Sequence, residues 1–243
     1  MHDIRYDEVH DEFVVTNPFA QAILVFRGAA DGNEPPIRII QGPSTQMGAA
    51  DRVEIDPIHD EIYIPGGNRV LVFPRKANGD VAPIRVIKGP DTKLRGGTAM
   101  AVDPVHNLLV VGTGGSAKRG PDGLGALLVY NRTDNGNVKP MRIIKGPKSG
   151  IIRINQMVIY SPRKFIVATQ PGEGDMMEPE GVYVGVWSLD DNGDVPPLWR
   201  INANAKTAMK KARGVTLDPK NKEMILADMR LNSVLTYYFP EMF

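Results

Sequence analysis

The sequence predicts an all-β protein, a β-propeller of about five blades with four antiparallel strands each. Three observations lead to this prediction. Three short phrases recur in the same order along the chain. Runs rich in β-branched and aromatic residues lie between them, and their length and composition are typical of strands. Finally, 25 glycines and 20 prolines interrupt any long helix.

The first phrase is a turn that ends the first strand of each unit. Its five copies begin at Asp7, Asp56, Asp103, Ser161 and Asp218. The first three copies carry a histidine three residues later, at His10, His59 and His106. These histidines occupy one repeat position in separate blades, so they cannot converge on a metal ion. We expect them to cap their turns, because Asp and His side chains bond nearby backbone groups.

The second phrase is an Asn-Gly or Asp-Gly turn that follows the third strand. Its glycines are Gly32, Gly79, Gly136 and Gly193. Their spacings of 47, 57 and 57 residues are typical of propeller blades rather than of helical solenoids. We expect tight hairpins in which both central residues have positive φ.

The third phrase is a short Pro-Ile-Arg strand at residues 36–43, 83–90 and 140–147, with a looser copy at 197–201. Each unit is therefore a meander of strands a, b, c and d, in which this phrase is strand d. We expect a single propeller domain over residues 1–243. Its approximate blades are residues 4–52, 53–100, 101–157, 158–214 and 215–243.

The last unit ends on a strand c, so nineteen strands are expected, in four units of four and one of three. Three explanations stay open. The last blade has an exposed edge, the chain is the C-terminal part of a larger propeller, or unpaired strand edges join separate chains into a homo-oligomer. The second explanation slightly favours a periplasmic or secreted protein, since an export signal would be missing together with the first strand.

Composition excludes several kinds of site. The chain has no cysteine, which excludes disulfides, thiolate zinc sites and cysteine nucleophiles. Its 29 Lys and Arg nearly balance 28 Asp and Glu, so nothing attracts nucleic acid to the protein as a whole. No apolar run approaches the length of a membrane span, and we expect no membrane insertion.

The Asp-Pro turn followed by the strand Asn-Arg-Val-Leu-Val-Phe at residues 68–73 resembles NHL-type propellers of bacteria, among them the lactonase-like ones. The resemblance covers nearly the whole chain and implies the propeller fold. Such propellers include hydrolases, lyases and binding scaffolds, so the resemblance selects no activity. The family's Gly-Asn-Gly turn between strands a and b is replaced here by Asp-Pro-x-His, which indicates a divergent branch.

The predicted ligand site is the mouth of the central channel, where the d–a and b–c loops meet. One arginine lies shortly before the strand-a turn in four blades, at Arg52, Arg95, Arg153 and Arg213. Such arginines favour an anionic ligand or an acidic peptide, because guanidinium binds carboxylate or phosphate through paired hydrogen bonds. The alternative is that each arginine pairs with a neighbouring carboxylate, such as Asp51 or Asp228.

Amide and acid side chains are expected on the same face, at Asn68, Asn155, Gln170 and Asp228. A channel calcium ion, as in lactonase-like propellers, would need several of these residues to meet, and only Asp228 is charged. Two long b–c loops, at 112–125 and 170–181, also belong to this face, where repeat proteins place function.

No arrangement for nucleophilic catalysis is present, because the chain has no Gly-x-Ser-x-Gly elbow and no histidine placed to activate a serine. The leading hypothesis is a non-catalytic binding or scaffold propeller without a cofactor, whose partner is a protein or a small anionic ligand. The first alternative is a metal-dependent, lactonase-like hydrolase or lyase. The second is a module that self-assembles through its open strand edge.

Overall fold

A computed structural model describes residues 3–96, 99–114, 125–172 and 179–243. These residues form nineteen strands in five antiparallel sheets. The strands are β1 (Ile4–Asp7), β2 (Glu12–Asn17), β3 (Ala22–Arg27) and β4 (Arg38–Ile40) in blade 1; β5 (Glu54–Asp56), β6 (Glu61–Pro65), β7 (Arg69–Pro74) and β8 (Arg85–Lys88) in blade 2; β9 (Ala99–Asp103), β10 (Leu108–Thr113), β11 (Ala126–Asn131) and β12 (Arg142–Ile144) in blade 3; β13 (Met157–Tyr160), β14 (Phe165–Gln170), β15 (Tyr183–Ser188) and β16 (Trp199–Asn202) in blade 4; and β17 (Ala212–Asp218), β18 (Glu223–Asp228) and β19 (Ser233–Tyr238) in blade 5.

The predicted propeller is confirmed, with four blades of four strands and a fifth of three. In every blade the strands are paired in chain order, as a meander requires. The first strands of blades 3, 4 and 5 begin slightly before the predicted blade boundaries.

Two compact units are distinguished by their internal contacts. Unit 1 consists of Met1–Leu108 and Asn131–Lys139, and unit 2 consists of Leu109–Tyr130 and Pro140–Phe243. Alternating side chains of strands b and c build each core, as in Val14, Ile23 and Phe73 of unit 1. Among the described residues, no helix has the length and apolar character needed to cross a membrane.

The Asp-x-x-His turns have the structure that the sequence predicts. Asp56 Oδ1 accepts the backbone N–H groups of Ile58 and His59, each at 3.0 Å. Asp56 Oδ2 lies 2.8 Å from His59 Nδ1. The pairs Asp7–His10 and Asp103–His106 repeat this contact at 2.9 and 2.7 Å. The three histidines are therefore occupied in their own turns.

The prediction of two-residue Asn-Gly hairpins is wrong. In the described residues only the glycine of each pair has a positive φ, from 56° at Gly32 to 83° at Gly193. The connection between strands c and d is longer than a hairpin turn and spans residues 75–84 in blade 2. The dipeptide therefore does not reverse the chain on its own, and its role lies in the contacts that it makes with the preceding blade.

Each Asn-Gly pair fastens its blade to strand d of the blade before it. Asn78 Oδ1 accepts the backbone N–H of Ile39 at 3.0 Å. Gly79 N–H donates to the carbonyl oxygen of Ile39 at 2.6 Å. The pairs Asn135-Gly136 and Asn192-Gly193 make the same two contacts with their preceding blades. This pairing explains why the Asn-Gly and Pro-Ile-Arg phrases recur together.

A buried carboxylate and its hydrogen-bond donors form a second connection between neighbouring blades, here called the carboxylate staple. In blade 2, Glu61 Oε2 accepts hydrogen bonds from Arg85 at 2.7 Å and from Arg132 at 2.6 Å. The hydroxyl of Tyr63 donates to the same oxygen. Arg85 belongs to strand d of blade 2, whereas Arg132 follows strand c of blade 3. The staple of blade 1 is built in the same way from Glu12, Arg38 and Arg75.

Later blades have other side chains at the staple positions. In blade 4 they are Phe165, Trp199 and Phe239. Their rings pack edge to face, with centroid distances of 5.3 Å for Phe165–Trp199 and 5.4 Å for Trp199–Phe239. Blade 3 keeps the strand-d arginine, and Arg142 Nε donates to the carbonyl oxygen of Leu189 at 2.7 Å. The chain thus uses charged and aromatic sets at one position of the fold.

The staple of blade 2 predicts an acid-dependent loss of stability. Burial by itself raises the pKa of Glu61, but the hydrogen bonds from Arg85 and Tyr63 outweigh burial and lower this pKa below its ordinary value. A lowered folded-state pKa contributes stability above the unfolded pKa of about 4.3, and this contribution is lost as pH falls through the folded pKa. We expect wild type and Glu61→Gln to differ most in urea-unfolding free energy near neutral pH, and least in strong acid.

The exposed Glu241 provides the control for this measurement. Glu241→Gln should leave the pH dependence of stability unchanged, because this side chain is exposed and forms no staple. A constant difference between wild type and Glu61→Gln across the acid range would show that Glu61 has no lowered pKa.

Candidate functional site

A cleft in unit 1 lies beside one of the predicted arginines. It has a volume of about 290 Å³ and is lined by residues 47–52, 64–67, 69 and 71. Residues 47–52 belong to the d–a connection that leads from blade 1 to blade 2. Residues 64–67 end β6 and enter the b–c turn of blade 2. These are the two connection types that the sequence analysis assigned to the ligand-binding face.

Two arginines line the cleft. The side chain of Arg52 is 21% exposed, and its Nη1 lies 3.8 Å from Asp3 Oδ1. Arg69 Nη2 donates to the carbonyl oxygen of Gln46 at 2.6 Å, which fixes the position of its guanidinium group. Asp51 also lines the cleft, so the lining carries two positive charges and one negative charge. Asp3, which contacts Arg52 from outside the lining, supplies a second negative charge beside the cleft.

Arg5 also forms ion pairs here, and it shares Asp3 with Arg52. Arg5 Nε lies 3.3 Å from Glu54 Oε1, and Arg5 Nη1 lies 3.5 Å from Asp3 Oδ1. Burial raises the pKa of Glu54, although the charge of Arg5 opposes this shift. The negative charge of Glu54 in turn raises the pKa of Arg5. Arg5 is thus engaged by two carboxylates, and Arg52 is the arginine of this group that reaches the cleft.

The other predicted residues of unit 1 are exposed and lie outside the cleft lining. Asn68 is in the turn between β6 and β7, and Arg95 follows the 3₁₀ turn Pro90–Thr92. Within the part of the chain that the structure describes, neither side chain takes part in a hydrogen bond or ion pair. Arg95 is therefore not among the residues that line the cleft with Arg52.

In unit 2, Asn155 and Arg213 form a reciprocal pair. Arg213 Nη1 donates to Asn155 Oδ1 at 3.1 Å, and Asn155 Nδ2 donates to the carbonyl oxygen of Arg213 at 2.8 Å. The hydroxyl of the buried Thr169 donates to the same carbonyl at 3.1 Å. The pair joins the start of blade 4 to that of blade 5, so both ends of the Asn155 amide serve the fold.

Gln170 and Arg153 meet at the end of β14. Gln170 is 2% exposed, and its Oε1 accepts the backbone N–H groups of Ile152 and Arg153, each at 3.2 Å. Gln170 Nε2 and Arg153 Nε are buried donors, and the described residues supply no acceptor for either. The polar groups without a partner at this position are therefore hydrogen-bond donors, whereas a cation requires hydrogen-bond acceptors such as oxygen atoms as its ligands.

Asp228 supports the b–c turn of blade 5. It is 2% exposed. Its Oδ2 accepts the backbone N–H groups of Lys210 and Lys211 at 2.8 Å, and its Oδ1 accepts those of Arg230 and Leu231 at 3.0 and 3.1 Å. Four backbone donors thus occupy both carboxylate oxygens. No group of three His, Asp or Glu side chains suited to a metal ion is found among the described residues.

The two predicted long loops are described only at their ends. Residues 115–124 and 173–178 lie outside the described residues. At the first loop, Gly125 N–H donates to the carbonyl oxygen of Ile152 at 3.0 Å, and Ala126 N–H donates to Thr113 Oγ1 at 3.0 Å. The described end of this loop is therefore anchored in the sheet.

Sequence reasoning missed Arg69 as a cleft residue. The prediction named Asn68, the residue directly before Arg69, because its amide is a common ligand group. The better signal was Pro65-Gly66-Gly67, a segment with little side-chain volume that ends two residues before Arg69. Gly67 has a φ of 68°, and no atom lies within 4 Å of the point where a Cβ would stand. Small residues leave the space that Arg69 and Arg52 border.

Comparisons with known proteins indicate the fold. No family model matches the chain, and no curated protein matches it. Hydrazine synthase from Kuenenia stuttgartiensis is similar in structure, with a TM-score of 0.66 and 11% identity over 92% of this chain and 54% of that chain. A chain in the crystal structure of a mitotic checkpoint complex is also similar, with a TM-score of 0.61 and 16% identity over 94% of this chain and 61% of that chain.

This chain thus spans less than two thirds of the length of either neighbour. At such low identities the likeness shows a shared fold and no shared activity. A β-propeller fold is consistent with a binding or scaffold role.

Proposed function

We propose that this chain is a non-catalytic binding propeller whose unit 1 cleft receives an acidic side chain of a partner protein. The observation that carries the proposal is the presence of two guanidinium groups, Arg52 and Arg69, in the lining of one cleft. Arginine binds a carboxylate through paired, charge-assisted hydrogen bonds. The cleft also lies between a d–a connection and a b–c turn, where propellers place their ligands.

The size of the cleft favours a single side chain over a large substrate. Pockets for drug-sized ligands typically have volumes of roughly 300–1,000 Å³. The volume of about 290 Å³ lies just below that range. A glutamate or aspartate side chain fits such a space, and the surrounding surface of the propeller would contact the rest of the partner.

The metal-dependent hydrolase or lyase has less support. Calcium takes about six to eight oxygen ligands. The oxygens of Asp228 and Gln170 already accept backbone N–H groups, and Asn155 Oδ1 accepts from Arg213. A cation would have to displace these bonds. Membership of the NHL-type propellers is likewise a proposal, and the strand at residues 68–73 supports it.

The cleft predicts an arginine-dependent affinity for acidic peptides. Fluorescently labelled hexaglutamate should bind, and Arg52→Ala and Arg69→Ala should each weaken binding by about tenfold, since a charge-assisted hydrogen bond contributes about 1.5–3 kcal/mol. Arg95→Ala is the matched control, because it removes an exposed arginine of the same unit outside the cleft. Anisotropy titration measures all four proteins, and added salt should weaken binding.

Three outcomes would contradict the proposal. The first is equal affinity for hexaglutamate and hexaglutamine, because the site would then not recognise charge. The second is an equal loss in Arg95→Ala, which would indicate general electrostatic attraction. The third is arginine-dependent binding of inorganic phosphate without binding of hexaglutamate, which would replace the partner protein by a small anionic ligand.

A further inference from the structure

Strand β19 forms the outer edge of blade 5 and differs from every other strand c. It pairs with β18 and, in the described residues, with no other strand. Four of its six residues are exposed, among them Val234 at 69% and Tyr238 at 71%. In contrast, four of the six residues of β7 are buried beneath strand d and its surroundings. The edge of β19 has the accessible surface that a fourth strand covers elsewhere.

The register shows where a fourth strand would bind. Thr236 is the equivalent of Val72, because each lies two residues before the partner of the first residue of strand b. In blades 1 to 4 the carbonyl oxygen at this position accepts the backbone N–H of the residue immediately before strand d, at 2.7 to 2.8 Å. In an antiparallel sheet, N–H and C=O of one residue point to the same side. Both groups of Thr236 therefore point away from β18.

Glu223 is the staple carboxylate of blade 5, and the described residues supply no partner for it. It occupies the position of Glu12 and Glu61 at the start of strand b. Each of those carboxylates binds two arginines, one of them from strand d of its own blade. Glu223 is half-buried and has no hydrogen bond or ion pair within the described ranges. A strand with arginine opposite Thr236 would complete the staple, as Arg85 does opposite Val72.

A second contact lies two residues farther along the missing strand. In blades 1 to 3 the residue two positions after the staple arginine is an isoleucine with 0% exposure: Ile40, Ile87 and Ile144. Ile87 pairs with Val70, and the equivalent of Val70 in blade 5 is Val234. An isoleucine at this place would cover the exposed Val234. The charge of Glu223 and the apolar surface of Val234 therefore specify one sequence pattern, an arginine followed two residues later by an isoleucine.

We propose that blade 5 binds an extended segment of a partner protein with the pattern Arg-x-Ile, which adds to β19 as a fourth antiparallel strand. Its arginine binds Glu223, and its isoleucine covers Val234. Main-chain hydrogen bonds supply affinity in such strand addition, and alternate side chains supply specificity. β19 and Glu223 belong to unit 2, whereas the residues that line the cleft of Arg52 and Arg69 belong to unit 1, so either proposal can fail without the other.

The probe is a synthetic peptide with the sequence of residues 82–89, Ala-Pro-Ile-Arg-Val-Ile-Lys-Gly, which is strand d of blade 2. We expect it to bind the chain of 243 residues, and hydrogen exchange should show new protection at residues 233–238. Glu223→Gln should weaken binding by about tenfold or more, as for close charge pairs at interfaces. Glu241→Gln, which removes an exposed carboxylate of the same unit, should bind like wild type.

Charge reversal tests the assigned contact directly. The Arg85→Glu form of the peptide should bind wild type poorly, and Glu223→Arg should restore its binding. Val234→Asp should weaken the original peptide without affecting hexaglutamate binding at the cleft. Thermal unfolding of each variant shows whether it is folded, and a fall in affinity counts only for folded variants.

Four results would overturn the proposal. Three of them are no binding of the peptide to wild type, peptide binding that Glu223→Arg leaves unchanged, and exchange protection outside β19 instead of at residues 233–238. A fourth is a concentration-dependent dimer that Glu223→Arg dissociates, because a second copy of this chain would then occupy the edge. Sedimentation at two protein concentrations without peptide provides that measurement.

Discussion

Glu61→Gln is expected to lower the free energy of unfolding by about 3–5 kcal/mol at neutral pH, the cost of leaving buried charges without their partner. Glu61 is 8% exposed and accepts hydrogen bonds from Arg85, Arg132 and Tyr63. Glutamine keeps the volume of the side chain but removes the charge that balances two guanidinium groups. Urea unfolding followed by circular dichroism measures the loss.

Blade 4 suggests the matched variant for this experiment. Its staple positions hold Phe165, Trp199 and Phe239, which pack without any charge. Replacing a whole buried ionic set by well-packed apolar residues is often neutral or stabilising. The triple variant Glu61→Phe, Arg85→Trp and Arg132→Phe should therefore be more stable than Glu61→Gln alone. If Glu61→Gln lowers the free energy of unfolding by less than about 1 kcal/mol, the staple contributes no more than a solvent-exposed salt bridge does.

Asp228→Ala is expected to lower the free energy of unfolding by about 3–4 kcal/mol, because alanine leaves backbone donors without their charged acceptor. Asp228 accepts four backbone N–H groups, two from Lys210 and Lys211 and two from the turn after β18. The carboxylate therefore organises both the start of β17 and the b–c turn of blade 5. Urea unfolding again gives the magnitude.

Calcium and a chelator make this variant a test of function as well. If Asp228 is structural, the difference between wild type and Asp228→Ala stays the same in calcium and in EDTA. If Asp228 holds a cation, calcium raises the stability of wild type and leaves Asp228→Ala unchanged. Glu241→Ala serves as the control, since Glu241 is an exposed carboxylate of the same unit.

The fold and the number of strands could be predicted because the same turn contacts recur in successive units of the repeat. Asp56, Asn78 and Gly79 each form local or neighbouring-blade contacts that recur at a fixed place in the unit. Turn chemistry of this kind is visible in a single sequence once the repeats are aligned. The hairpin error arose because Asn-Gly was treated as a chain reversal, whereas Asn78 and Gly79 bind the preceding blade.

The candidate site was only partly predictable. Arg52 was found from its repeat position, and the structure places it in a cleft. Asp228 and Gln170 were selected as ligands because their residue types suit a cation, but backbone N–H groups occupy their oxygens. A residue type states which bonds a side chain is able to form. The backbone conformation around it decides which of those bonds are already made.

By itself the sequence determined the repeat, and with it the five blades, the strand order and the three-stranded last blade, because these follow from turn residues and strand periodicity. The tertiary structure alone decided how equivalent positions differ. Glu12, Glu61 and Glu223 share one position, yet only the first two have arginine partners in the described chain. Whether a glutamate at this position has arginine partners depends on the neighbouring strand and the neighbouring blade. Folding brings these together from distant parts of the sequence, so a local sequence pattern does not show the pairing.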